Sequence, residues 1–205
     1  MIEPKVIVAS ISEPITIEEV KLQCRIDSSD STEDALLRIY IAAARNYVEW
    51  RTATTVHEAT LEYVLDNFPG CRYIELPRAT PLIEISSVKY KDYNGTETTW
   101  SSAEYVEDVD STPGRLVLGY GQAWPSFTAY PVSPIRIRYT AGTAITTVPE
   151  TEASVAVKYP MLLLVAGMYE NRESENVTDR GVLTKLSIDY GVEAFLSRLT
   201  TQYVF

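Results

Sequence analysis

The sequence predicts an α+β protein: a helical bundle built from the two ends of the chain, with an antiparallel β-rich insertion between them. Three observations carry this. Apolar residues recur with a helical period between residues 16 and 52, and again after Pro149. Between those segments the period falls to two and Val, Ile and Tyr dominate, which is strand chemistry. Turn signals punctuate the middle of the chain, Asn94-Gly95 most clearly, because Asn and Gly accept the positive φ of a type I′ hairpin turn. The expected division is a discontinuous helical domain, residues 1–55 and 149–205, enclosing a β insertion over 56–148.

Residues 1–15 read as an extended arm, punctuated by Pro4 and Pro14. Thr16 then opens a short helix, TIEEVKLQCRID, with Thr16 and Glu19 in the capping-box relation. Ile17, Val20 and either Cys24 or Leu22 face inward. Asp27-Ser-Ser-Asp30 makes a turn, and STEDALLRIYIAAARNYVEWRT follows as the dominant helix, with Ser31 placed to cap it. At about 100° per residue, Leu36, Ile39, Tyr40, Ala43, Tyr47 and Trp50 form one stripe, and Leu37, Ile41, Ala44 and Val48 a second. Together they span an arc of roughly 200°, twice what a helix lying on one core needs. Asp34–Arg38 and Arg45–Glu49 have the i,i+4 spacing of ion pairs. Such a helix either lies at the centre of its own domain or presents one face to a core and the other to another subunit.

Strands are expected at Thr60–Leu65, Arg72–Leu76, Ile83–Lys91, Tyr105–Val109, Arg115–Leu118 and Ile135–Thr140. Phe68–Cys71, Pro77–Pro81 and Asp110–Gly114 supply the turns between them. Residues 119–134, rich in Gly, Pro and aromatics, read as a long ordered loop. Its Trp124, Phe127 and Tyr130 serve either as a hydrophobic latch or as a stacking platform for sugars or bases. From Val155 to Tyr169 apolar residues point all round the wheel, so that helix is expected to be buried on every side. Pro160 either kinks it or starts a second helix. Residues 174–189 lack a period and read as a loop, Val192–Leu199 as a final short helix, and Tyr203–Phe205 as an apolar end.

Composition narrows the chemistry. The 205 residues carry a net charge of −10 with no Lys/Arg cluster anywhere, the reverse of a protein that grips nucleic acid through phosphates. Two cysteines without ligand spacing and a single histidine, His57, offer neither a disulfide scaffold nor a zinc motif. No nucleophile turn accompanies His57, so no catalytic residue, metal site or cofactor is assigned. Glu104, Glu107, Asp108 and Asp110 lack the ligand order of a calcium loop and read as an acidic connection. Met161–Met168, the longest apolar run, falls well short of the roughly 20 residues that span a bilayer. The first residues show no signal-peptide pattern. Glu170, Asn171, Arg172 and Glu173 end the apolar helix, either emerging into solvent or pairing with a neighbouring element or subunit.

The order LQCRIDSSDSTEDALLRIYIAAARNYVEWRT, then IRIRYTAG, then VPETEASVAVKYPMLLLVAGMYENRE and finally YGVEAFLSRL resembles the head–tail connector (adaptor) proteins of tailed bacteriophages, in particular longer members with a β insertion. That resemblance implies a structural, non-enzymatic virion protein of the neck, made in the host cytoplasm. Its partners would be itself, in a ring of about twelve copies with head-to-tail contacts, the portal protein above, and a tail or stopper protein below. Genomic DNA would pass through the channel without specific binding. Arg45, Glu49, Arg51, Glu170 and Arg172 are the residues expected at or near subunit contacts. A tail-completion role in the same particle and a carbohydrate-binding β module are the alternatives.

Overall fold

The computed structural model describes residues 3–9, 12–142, 152–172, 175–177, 183–185 and 190–201. In chain order the elements are β1 (Lys5–Val8), α1 (Ile17–Cys24), α2 (Asp34–Thr52), β2 (Ala59–Leu65), β3 (Tyr73–Glu75), β4 (Leu82–Lys91), β5 (Glu97–Trp100), β6 (Tyr105–Asp108), β7 (Arg115–Leu118), β8 (Ile135–Ala141), α3 (Glu152–Glu170), β9 (Glu175–Val177), β10 (Leu183–Lys185) and α4 (Tyr190–Thr201). The chain divides into two compact units, residues 1–11 with 53–144 and residues 12–52 with 145–205.

In the first unit, five strands form an antiparallel sheet in the order β1-β2-β8-β4-β5, and three more form a sheet in the order β3-β7-β6. Alternation decides what each sheet buries. Leu61, Val88, Ile135, Ile137 and Tyr139 from the larger sheet share one core with Ile74, Leu116 and Leu118 from the smaller. Each such side chain contributes about 1.5–3 kcal/mol by leaving water. Tyr139 is fully buried, its hydroxyl donates to the Pro77 carbonyl, and burial pushes that phenol well above its ordinary pKa. Gly142 ends β8 at φ +112°, where a Cβ would stand 2.5 Å from the His57 carbonyl oxygen. Only glycine fits both conditions.

The loop after β7 lies over this core as a latch. Trp124 stacks on Phe68 with centroids 5.0 Å apart and donates its indole N–H to the Cys71 carbonyl at 2.8 Å. Phe127 sits 4.8 Å from Tyr90, and Lys91 Nζ lies 4.2 Å over the Tyr130 ring. These rings are therefore engaged within the chain, as a latch requires and an open stacking platform does not. One sequence expectation needs correcting: the N-terminal arm does not side with the helices. Val6 pairs opposite Leu61, so β1 is an edge strand of the larger sheet. A four-residue strand is too short for its pattern to announce a partner.

The second unit holds α1 to α4 with the β9–β10 hairpin, whose strands pair antiparallel. That hairpin occupies part of the stretch read from sequence as a loop, where no period was visible. Residues 178–182 and the apolar end 203–205 lie outside the described residues. α1 opens with the expected capping box: the Glu19 N–H donates to Thr16 Oγ1 at 3.2 Å, and the Thr16 N–H to Glu19 Oε2 at 2.7 Å. Val20 is fully buried and Cys24 partly so, whereas Leu22 points outward at 82% exposure. α3 continues through Pro160 as one element, with Met161 and Val165 fully buried, so Pro160 does not start a separate helix.

Candidate subunit interface

α2 is the element on which the helical unit closes, and its two apolar stripes have different fates. Leu37, Ile41, Ala44 and Val48 are all buried. Ile39 and Trp50 are 63% and 70% exposed, and Ala43 beside them is exposed too. At about 100° per residue the exposed trio lies close to the opposite side of the helix from the buried four. Leu36, Tyr40 and Tyr47, half-buried, lie on the arc between them. Part of the apolar surface of α2, at Ile39, Ala43 and Trp50, thus stays outside the core of its own unit. Large exposed apolar patches of this kind on a soluble chain mark interaction sites.

Around the buried side, charged groups tie the helices together. Lys21, almost wholly buried on α1, places its Nζ 2.8 Å from Asp34 Oδ1 and 3.5 Å from the Ser28 carbonyl. Asp34 therefore pairs across to α1, where its spacing had suggested Arg38. α2 also begins two residues later than a Ser31 cap implies. The side chain that accepts from the backbone there is Asp30, on the Thr32 N–H at 2.9 Å. The Thr32 hydroxyl first, then that bond, holds the Asp30 carboxyl below its ordinary pKa.

Four of the five residues assigned from sequence, Arg45, Glu49, Arg51 and Arg172, fall in this tying network. Arg45 Nε lies 2.8 Å from Glu13 Oε2, and its Nη1 lies 3.6 Å from Glu49 Oε2. Arg51 pairs with Glu193 of α4 at 3.0 Å, and Glu193 also accepts the Tyr47 hydroxyl at 3.0 Å. Arg172 Nη2 lies 2.6 Å from Glu33 Oε1, and its guanidinium stands 5.0 Å over the Tyr169 ring. Glu33 accepts from the Tyr169 hydroxyl at 2.7 Å. The Tyr169 bond first, then the Arg172 bond, holds the Glu33 carboxyl below its ordinary pKa. Glu170 is exposed at the end of α3, and its charge adds to the effect of burial in raising the Cys24 thiol. On the wheel, Arg45 and Arg51 flank the buried stripe, and Glu49 lies midway between the buried and exposed ones. Sequence spacing exposed the apolar excess but could not reveal pairs between residues 139 apart, such as Glu33–Arg172.

The acidic connection in the β unit is likewise used locally. Glu104 accepts the Trp100 indole N–H at 2.6 Å, Glu107 the Ile85 N–H at 3.1 Å, and Asp108 the Ser111 N–H at 3.1 Å. Among the described residues no group of three or more His, Cys, Asp or Glu could hold a metal ion, and no helix is long and apolar enough to cross a membrane.

Residues 14–112 match the family model described as Phage gp6-like head-tail connector protein. The likeness is to head–tail connectors. The matched stretch takes in the LQCRID turn and the IAAAR helix and stops inside the β unit, before IRIRYTAG and YENRE. No curated protein matches the chain. Three solved structures share the fold nearly end to end. A chain of "Neck of empty GTA particle computed with C6 symmetry" gives a TM-score of 0.76 at 20% identity, covering 97% of this chain and 95% of that one. One from "Virion of native gene transfer agent (GTA) particle" gives 0.74 at 21% identity, covering 97% and 95%. One from "Neck of native GTA particle computed with C12 symmetry" gives 0.70 at 20% identity, covering 97% and 94%. The connector likeness thus rests on residues 14–112, while the solved structures share the fold over nearly the whole chain.

Proposed function

We propose that this chain is a head–tail connector subunit of a phage-like virion neck, a structural protein without catalysis. Copies assemble as a ring beneath the portal, extend the channel through which DNA leaves, and receive the tail or a stopper protein below. The observation that carries this reading is the outward apolar face of α2, Ile39, Ala43 and Trp50, on the helix that lies inside the connector-like segment. A cyclic ring uses two different surfaces of each subunit, and an apolar helix face suits one half of such a contact. Similar chains come from necks computed with C6 and C12 symmetry, which supports a ring. In this reading Arg45, Glu49, Arg51 and Arg172 hold the helical unit that presents the contact, and Glu170 stands exposed at the end of α3.

The test is attachment. Purified chain is mixed with DNA-filled heads that carry a portal but no neck, and separately with capsid-free tails, and bound protein is located by electron microscopy. The expected result is a ring at the portal vertex. Attachment to isolated tails alone would favour the tail-completion role.

A further inference from the structure

The acidity of the whole chain hides a local reversal of sign on the five-stranded sheet. In β8, Ile135, Ile137 and Tyr139 face the core, so Arg136 and Arg138 face away from it. At the end of β4, Lys89 and Lys91 alternate with the buried Val88 in the same sense. The register brings these cations side by side. Arg136 lies opposite Lys89, and Arg138 lies opposite Ser87 on one side and Glu62 on the other. Lys5 of β1 lies across from Glu62. Residues directly opposite in antiparallel strands share a face.

Lys5, Lys89, Lys91, Arg136 and Arg138 therefore collect on the outward face from distant parts of the chain. Three carboxylates share it. Glu62, nearly covered, lies 3.1 Å from Arg138 Nη2 and 3.7 Å from Arg136 Nη1. Glu97 takes Lys89 Nζ at 2.8 Å, and Glu84 lies opposite Thr140 at the far end. Five cations less three carboxylates leave this face at +2, on a chain whose total is −10. The Arg136 and Arg138 side chains stay 50% and 46% exposed despite their shared partner.

We infer that this outward sheet face contacts the phosphates of double-stranded DNA, weakly and without reading sequence. Phosphate contacts are made by Arg, Lys, Ser and Thr, and Ser87 and Thr99 fill rows between the cations. A stable protein partner would instead call for an aromatic or aliphatic centre removed from water, and the middle of this face is charged. The acidic remainder of the chain repels a polyanion, so duplex meets the protein through this face or not at all. That the DNA is the one in transit through a neck rests on the connector reading; the binding does not.

Fluorescence anisotropy of labelled duplexes of two unrelated sequences, titrated with the full chain at low salt, tests the inference. Both duplexes should bind alike. With about four phosphates neutralised, affinity should fall on the order of a hundredfold between about 50 and about 200 mM salt. Lys89→Gln with Lys91→Gln, and separately Arg136→Gln with Arg138→Gln, should each weaken binding roughly tenfold, while Arg38→Gln on α2 should not. The lysine pair matters because it leaves both arginines on Glu62. Absence of binding at low salt, an equal loss with Arg38→Gln, or better competition by polyglutamate than by unlabelled duplex would overturn it. Failure here with rings still forming removes only this inference; binding without rings removes the connector reading and leaves this one.

Discussion

At the scale of single residues, two positions carry consequences that can be measured directly. Gly142 combines a positive φ with a carbonyl oxygen where a Cβ would stand. Gly142→Ala should therefore lower stability by more than about 1 kcal/mol, read as a shifted midpoint in chemical denaturation. Glu33 is the second. Its folded carboxyl is held below the ordinary value by the Tyr169 hydroxyl and the Arg172 guanidinium. A lowered folded pKa means that its contribution is complete at neutral pH. It disappears as pH falls from the ordinary carboxylate range through the lowered folded value. Glu33→Gln should accordingly leave the acid end of a thermal-stability profile unchanged and lower its neutral plateau slightly, so that the acid limb is shallower; the change is small because both partners are exposed enough for solvent to screen the pair. An acid limb identical to that of the parent chain would show that the Glu33 contacts do not persist in solution.

At the scale of elements, α2 separates what holds the fold from what is left for a partner. Leu37 and Val48 are fully buried, and Leu37→Ala should cost about 2–5 kcal/mol through lost burial and the cavity left behind. Ile39→Glu and Trp50→Glu, on the other side of the same helix, should change stability by no more than about 0.5 kcal/mol. Denaturation curves of the three variants check the contrast; a large loss from Trp50→Glu would mean that the outward face is covered within its own chain. The latch makes a parallel case in the β unit. Trp124→Ala removes the stack on Phe68 and the bond to the Cys71 carbonyl, and should raise protease cleavage within 119–134 while the two sheets stay folded.

Legibility in the sequence also follows the elements. Long periodic segments were readable: the two stripes of α2, the alternation of β4 and β8, the Asn94-Gly95 hairpin and the Thr16–Glu19 box each carry a local signal. Short strands were readable only in part: β3, β6 and β7 were expected, whereas β1, β9 and β10 were not, because three or four residues hold at most two repeats of a period-two pattern. Pairs made by tertiary folding were hidden as well. Asp34 reaches Lys21 rather than Arg38, and the cations of β4 and β8 become neighbours only through register. The candidate interface was half legible. Its apolar excess is a property of helical spacing, but which stripe the fold covers depends on where α1, α3 and α4 come to lie.

At the scale of the whole molecule, the claim is that each unit is closed on its own core and that the surplus, the Ile39–Trp50 face, belongs to assembly. The helix that carries this surplus lies within residues 14–112, the stretch similar to head–tail connectors. Light scattering coupled to size-exclusion chromatography, on the chain alone and with portal complex, tests this most directly when the parent is run beside the Ile39→Glu, Trp50→Glu double variant. The parent should elute with the mass of a closed multi-subunit assembly, alone or on the portal, and the double variant as a folded single chain under both conditions. A parent that stays a single chain with and without portal, or a double variant that assembles as the parent does, would contradict the account.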